Sequence, residues 1–167
     1  MSKGKLIGGA LAAMIAIATP LFVSMEGEEL SAYKDVVGVV TICSGDTRNV
    51  YMGMRLTKEQ CRQRTDNILN EYGTDVQKLS PGIENSPYEW AAHTIFAANI
   101  GVGAYGRSSI RRLYNAGDYR GACRAMRLYD KAGGRVIRGL VNRREGTATM
   151  IGEYELCLGG AIARTVQ

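Results

Sequence analysis

The side chains at positions 26, 35 and 41 are two carboxylic acids and one hydroxyl. Enzymes that cleave a glycosidic bond can use such groups. Glu26 follows a long uncharged run, Asp35 comes later, and Thr41 ends an apolar, β-branched run. Across a cleft, one carboxyl group can protonate the leaving oxygen while the other activates water. A solvated cluster of acids fits the same pattern, because Glu28 and Glu29 stand close to Glu26. Residue types alone therefore leave both interpretations open.

The N-terminal run predicts a membrane anchor. Residues 6–25 carry no charge and are preceded by Lys3 and Lys5. A helix of this length spans a hydrocarbon core of about 30 Å. Flanking lysines stay cytoplasmic, so residues 1–25 predict a single-pass anchor, with the remainder of the chain facing outward. The run is rich in glycine and alanine, so we expect the anchor to be weak.

Two alternatives to an anchor remain open. The triplet Ala16-Ile17-Ala18 has the small-x-small form of a signal-peptide cleavage site, which would remove the segment. The segment could instead be a core helix of a cytosolic protein, although its lysine flank and spanning length argue against this. We expect export, which makes disulfide bonds the default state of the four cysteines.

Composition excludes several classes of function. The chain of 167 residues is 46% hydrophobic and 22% charged, as in an ordinary globular domain. Its formal net charge of +5 is mild, and no dense basic patch with interleaved aromatics indicates nucleic-acid binding. His93 is the single histidine and no cysteines are closely spaced, so we expect neither a metal nor another cofactor.

The order of elements predicts a mainly helical α+β fold. A strand over 36–43, returning at 50–52, predicts a hairpin or small sheet in a β-bearing lobe of residues 26–56. Thr57 and Gln60 have the spacing of a capping box, which begins a linking helix over 57–79 with a possible break at Gly73.

A larger helical lobe is predicted over 80–160. Helices are expected from Pro87 to the glycines at 101 and 103, over 110–115 with a serine cap at 108 or 109, and over 121–129. A further helical stretch covers 136–157, with doubtful continuity at Gly146 and Gly152. Together with residues 26–56 and 57–79, this lobe forms one domain of residues 26–167 with a cleft between its lobes.

The spacing of Glu26, Asp35 and Thr41 resembles the catalytic signature of the phage lysozyme family, the muramidases of glycoside hydrolase family 24. The similarity continues in order through the motifs at 43–47, 56–61, 96–103 and 139–145, and covers roughly residues 26–160. With four cysteines and a weak N-terminal anchor, the chain resembles signal-arrest-release endolysins of the lambdoid phage type.

The resemblance implies a lysozyme-like fold and hydrolysis of the β-1,4 bond between N-acetylmuramic acid and N-acetylglucosamine in peptidoglycan, causing host cell lysis. By position, Glu26 would be the general acid, Asp35 would orient or deprotonate water, and Thr41 would help to hold that water. This placement implies inversion, with carboxyl groups about 6.5–9.5 Å apart. Glu28 or Glu29 as the acid is a minor rival, because neither keeps the spacing. The resemblance also implies that the enzyme is tethered to the periplasmic side of the host inner membrane, with its N-terminus in the cytoplasm. It would stay inactive until the membrane is depolarised and the enzyme is released into the periplasm.

Three further expectations concern residues outside this signature. Four cysteines allow three pairings, and we favour Cys43–Cys61 with Cys123–Cys157, because each pair then stays within one lobe. His93 is expected to be packed or capping rather than catalytic. The arginines at 143 and 144 fit either a solvated face or an ion pair between the lobes.

Two rival functions have different consequences. An exported, disulfide-containing protein that binds cell wall without cutting it fits the basic charge, but leaves Glu26 and Asp35 without a role. A membrane-anchored structural protein would need more than the one apolar span. We expect a monomer whose partners are peptidoglycan and, through residues 6–25, the inner membrane.

Overall fold

The fold is mainly helical with small antiparallel sheets, which confirms the predicted class. The computed structural model describes residues 3–164, so the outer ends of the predicted segments 1–25 and 26–167 lie outside the described residues. The helices are α1 (Lys3–Glu26), α2 (Lys58–Leu79), α3 (Pro87–Ile100), α4 (Val102–Gly106), α5 (Ser109–Asn115), α6 (Tyr119–Met126), α7 (Arg138–Glu145) and α8 (Glu153–Arg164). A 3₁₀ helix covers Ile83–Asn85, and the strands pair as β1 (Glu29–Lys34) with β2 (Val40–Cys43), β3 (Lys131–Ala132) with β4 (Arg135–Val136), and β5 (Gly146–Thr147) with β6 (Met150–Ile151).

The first hairpin begins earlier in the chain than predicted. Its strands are β1 and β2, and residues 35–39 form the turn between them, so the prediction of a strand from residue 36 was wrong. The predicted return strand at 50–52 is also wrong, because these residues lie outside the strands of the described chain. A short third segment instead meets β1 near residue 55, where Ser31 and Arg55 form an isolated bridge.

The linking helix α2 starts at its predicted cap and runs without a break. The Thr57 hydroxyl accepts a hydrogen bond from the Gln60 amide, and the Gln60 side chain accepts one from the Thr57 amide, which confirms the capping box. The possible break at Gly73 does not occur. Gly73 is instead a site of close packing, because the Trp90 indole donates to its carbonyl at 2.9 Å and Met14 fills the space of a missing side chain.

The helical lobe is organised around α3. The Ser86 side chain caps this helix. The start at Pro87, the stop at Gly101 and the Ser108 cap of α5 are as predicted. The interior positions of α3 are buried, including the aromatic residues at 90 and 96. His93 is a packed residue, as expected: it is fully buried, and its Nδ1 is 2.8 Å from the Tyr105 hydroxyl.

The stretch over 136–157 is not one helix. It divides into α7 and α8, which are separated by the β5–β6 hairpin, so the break occurs at both of the suspected glycines. A Cβ at Gly152 would lie 2.3 Å from the Gly146 nitrogen and 2.6 Å from the Arg144 carbonyl oxygen. Only glycine fits here, because the end of α7 and the start of α8 are in backbone contact.

The predicted anchor is a helix that packs against α2 and α3 in this structure. Its buried residues Met14, Ala18 and Phe22 join the main hydrophobic core, and the Thr19 hydroxyl donates to Asp66 at 2.6 Å. The stretch Gly8–Glu26, with a mean hydropathy of 1.8, is nevertheless long and apolar enough to cross a membrane. The segment therefore has the composition of a span and the contacts of a docked core helix.

Two disulfide bonds join the pairs favoured from the sequence. Cys43–Cys61 ties the end of β2 to the first turn of α2, and Cys123–Cys157 ties α6 to α8. The first closes a small second core around Ile42, whereas the second lies in the main core. Each bond therefore stabilises one lobe.

Candidate functional site

Glu26 is the last residue of α1 and lies at the base of the β1–β2 hairpin. Helix α1 ends because Gly27 takes a positive φ of 80°, a conformation that glycine adopts readily. The carbonyl of Gly27 then accepts a hydrogen bond from the Ser44 hydroxyl at 2.8 Å, and Glu29 pairs with Cys43. The helix end is therefore held against the end of β2.

Asp35 lies at the opposite end of the hairpin, in its turn. Its Oδ1 accepts hydrogen bonds from the amides of Val37 at 3.0 Å and Val39 at 2.8 Å. Gly38, with φ of 86°, completes the turn. No hydrogen bond from residues 3–164 reaches Oδ2. The carboxylate is thus fixed by one oxygen, and the other is available to a water molecule or a substrate.

Thr41 lies on β2 between these two acids. It pairs with Tyr33 of β1, and its side chain is almost fully buried. Its hydroxyl donates to the Val39 carbonyl at 3.0 Å. Because a hydroxyl also carries two acceptor lone pairs, Thr41 can still accept a hydrogen bond from a water molecule. The hairpin therefore arranges Glu26, Thr41 and Asp35 in order from its base to its turn.

Arg143 is the site residue that sequence reasoning did not assign. Its Nη1 donates to Glu26 Oε1 at 2.5 Å, across 117 positions of the chain. Arg143 is only 8% exposed, whereas Glu26 is 32% exposed. Of the two interpretations left open, the ion pair is therefore correct for Arg143, and its partner is the candidate acid. The only sequence signal was a pair of adjacent arginines, which does not identify a partner.

The neighbouring acids have other surroundings. Glu29 is exposed on β1, and Glu28 lines a cavity of about 680 Å³ between α1 and α2, beside Lys58 and Arg62. Neither contacts Arg143 among the described residues. Glu26 is thus distinguished from both by its contact with a buried guanidinium.

Both lobes contribute to a cavity of about 270 Å³. Gly45, Asp46 and Thr47 line it from the loop after β2, and Tyr72 and Ala98 line it from α2 and α3. In residues 3–164, no group of three His, Cys, Asp or Glu side chains could hold a metal ion. The carboxyl groups of Glu26 and Asp35 can supply acid–base chemistry at this site.

The chain is similar to known proteins in both sequence and structure. Residues 23–147 match the family model described as phage lysozyme. The chain is 35% identical over 140 residues to a SAR-endolysin of Enterobacteria phage PA-2, covering 81% of this chain and 79% of that protein. Among solved structures, it is similar to a variant of P22 lysozyme, with a TM-score of 0.75, 27% identity, and coverage of 86% of this chain and 96% of the other. It is also similar to the muramidase domain of SpmX from Asticaccaulis excentricus, with a TM-score of 0.73, 26% identity, and coverage of 85% and 95%.

Proposed function

Because the chain belongs to the phage lysozyme family, we propose that it is an endolysin that hydrolyses peptidoglycan. The bond cleaved is the β-1,4 glycosidic bond between N-acetylmuramic acid and N-acetylglucosamine, and the consequence is lysis of the host cell. The observation that carries this proposal is the contact of Glu26 with buried Arg143, at the base of a hairpin that also carries Asp35 and Thr41. A lysozyme-type glycoside hydrolase uses a pair of carboxyl groups, and Glu26 and Asp35 lie at the two ends of this hairpin.

The three residues have distinct roles in the proposed reaction. Glu26 donates a proton to the leaving glycosidic oxygen as the C–O bond breaks. Asp35 uses its free Oδ2 to orient and deprotonate a water molecule, which attacks the anomeric carbon from the opposite face of the sugar. Thr41 accepts a hydrogen bond from that water and so helps to hold it. The product has inverted anomeric configuration, because a single displacement occurs.

The test is Glu26→Gln, assayed by the release of reducing ends from purified sacculi. The amide keeps the size of the side chain but cannot donate the acid proton, so activity falls by about 10²–10⁴-fold. Glu29→Gln is the matched control, because it removes an exposed carboxylate three positions away and retains activity. Sacculi that pellet with the wild-type protein without new reducing ends would support the rival cell-wall-binding function. A lytic Glu26→Gln variant would overturn the assignment of the acid.

The second part of the proposal concerns regulation by α1. While α1 spans the inner membrane, Glu26 lies at the bilayer surface and cannot contact Arg143. After α1 leaves the membrane, it docks through Met14, Ala18 and Phe22, and its last residue then reaches the site. The docked arrangement supports this view, since one helix carries both the spanning composition and the candidate acid. The tethered enzyme faces the periplasm and is released into it.

A further inference from the structure

A second buried carboxylate lies behind Arg143. Glu153, the first residue of α8, is fully buried. Its Oε1 is 3.5 Å from Arg143 Nε, and its Oε2 accepts a short hydrogen bond from Arg144 Nη1. Glu26 and Glu153 thus lie on two sides of one guanidinium group. The acid network extends from the proposed site into the core of the helical lobe.

Arg144 fixes the position of Glu153. Its Nε donates to the Tyr129 carbonyl at 3.1 Å, and its Nη2 donates to Asn99 Oδ1 at 2.6 Å. Its guanidinium carbon lies 4.5 Å from the centre of the Phe96 ring. These contacts join three segments of the lobe, so Arg144 is a rigid donor to the Glu153 carboxylate.

Arg143 has few contacts of its own. Its Nε and Nη2 are buried and have no hydrogen-bond partner in the part of the chain that the structure describes. Its one hydrogen bond within residues 3–164 goes to Glu26. Its orientation therefore depends on the two carboxylates beside it, and of these only Glu153 is held in place by other groups.

The β5–β6 hairpin brings these groups together. Seven residues separate Glu145 from Glu153, yet the backbone contact between Gly146 and Gly152 closes this loop at its base. The start of α8 therefore lies directly beside the end of α7. This contact places the Glu153 carboxylate within reach of both arginines.

We propose that Glu153 is a positioning residue, which directs the Arg143 guanidinium and through it holds Glu26 in the orientation for proton donation. This inference rests on the proposed function, since it assigns a role relative to the acid. Glu153 also balances the positive charge around that acid. The charged groups that face this centre are Arg143 and Arg144 from α7, Glu26 from α1 and, near Arg144, Asp130.

The experiment compares Glu153→Gln with Glu89→Gln in the full-length protein. Glu89 is a matched control, because it is also fully buried in the helical lobe and paired with an arginine, Arg164, at 2.7 Å. Its contacts do not include Glu26 or Arg143. Both variants remove one buried negative charge and keep the size of the side chain. The measurements are kcat, KM and the pH dependence of kcat/KM on soluble peptidoglycan fragments.

We expect Glu153→Gln to lower kcat by about 10-fold or more with little change in KM, because the acid is misplaced. The alkaline limb of its pH profile moves, because the charges that face Glu26 change: the Glu153 carboxylate is lost and the Arg143 contact is displaced. Glu89→Gln keeps the wild-type kcat and limb position. Equal effects of the two variants, or an unmoved limb in Glu153→Gln, would overturn the inference.

Glu153→Asp keeps the test decisive if Glu153→Gln does not fold. This variant retains the charge but withdraws it by one methylene, so we expect a wild-type alkaline limb with a lowered kcat. A wild-type kcat in this variant would also overturn the inference. Failure of the proposed function is distinguishable, because it would appear as an inactive wild-type protein or an active Glu26→Gln variant.

Discussion

Replacing Gly8, Gly9, Ala12 and Ala13 with leucine should trap the protein in the membrane. All four positions are exposed when α1 is docked on the core, whereas Met14 of the same helix packs into the core and is buried. Leucines at these positions would face water in the docked state and lipid in the tethered state. The substitution therefore stabilises the membrane-spanning state selectively and leaves the docking contacts in place.

The size of the effect follows from the added side chains. Each glycine gains four carbon atoms and each alanine gains three. At about 0.8 kcal/mol for each carbon buried in lipid, the tethered state is stabilised by about 11 kcal/mol at most. An insertion scale, at about 0.3–0.6 kcal/mol for each leucine, gives about 2 kcal/mol. Even this smaller value changes the ratio of tethered to released protein by about 30-fold.

The assay combines membrane fractionation with lysis after the membrane is depolarised. We expect the parent protein to move to the soluble fraction and lyse the cells, and the leucine variant to remain in the membrane. A variant with alanine at positions 8 and 9 is the control, because it adds only one carbon at each glycine. The leucine variant should cleave sacculi once it is solubilised in detergent, which separates trapping from inactivation.

Two results would refute the reasoning on release. The leucine variant could lyse cells as promptly as the parent, in which case the composition of the outward face does not control release. The parent could instead be found cleaved near Ala18, and the segment would then be a conventional signal peptide. Either result would leave the assignment of the acid untouched, because that assignment is tested with Glu26→Gln.

Two predictions concern stability. Burial, together with the charge of Arg164, lowers the pKa of His93 from 6.5 to about 3. Between pH 6.5 and pH 3, His93 therefore binds a proton only in the unfolded state. The free energy of unfolding falls as the pH drops below 6.5, by about 2 kcal/mol between pH 8 and pH 5. Urea unfolding should show that His93→Gln loses this dependence, and an unchanged slope would contradict it. Gly152→Ala should destabilise the fold by about 1–3 kcal/mol and lower activity, because its Cβ would meet backbone atoms. Thermal unfolding measures the loss of stability, and Gly139→Ala is the control, because no atom lies within 4 Å of the Cβ that it adds.

The first hairpin illustrates where sequence reasoning reached its limit. The β-branched run from residue 36 predicted a strand, yet Val37 and Val39 donate their amides to the Asp35 side chain. This side-chain turn competes with strand pairing for the same backbone groups, so β2 begins at Val40. Strand propensity takes no account of such side-chain hydrogen bonds to the backbone. The same turn gives Asp35 its fixed orientation in the candidate site.

By itself, the sequence determined the features that depend on neighbouring residues. The Thr57 capping box, the Ser108 cap and the helix stop at Gly101 were predictable, because their hydrogen bonds connect residues a few positions apart. The spacing of Glu26, Asp35 and Thr41 likewise identified candidates, whose roles remain predictions. Asp35 and Thr41 lie on one hairpin and Glu26 lies at its base, because the three residues are close in the chain.

Only the tertiary structure decided how the candidate acid is held. Glu26 and Arg143 lie 117 positions apart, and they meet because α1 docks on the core. The Gly146–Gly152 contact brings Glu153 beside the same guanidinium. Helix α2 continues through Gly73 for a similar reason, since α1 packs into the space that the glycine leaves. Such contacts depend on the packing of whole helices, and a guanidinium can pair with any carboxylate that packing brings near. The sequence therefore identifies the ionisable side chains, and the packing of α1, α7 and α8 determines which of them form ion pairs.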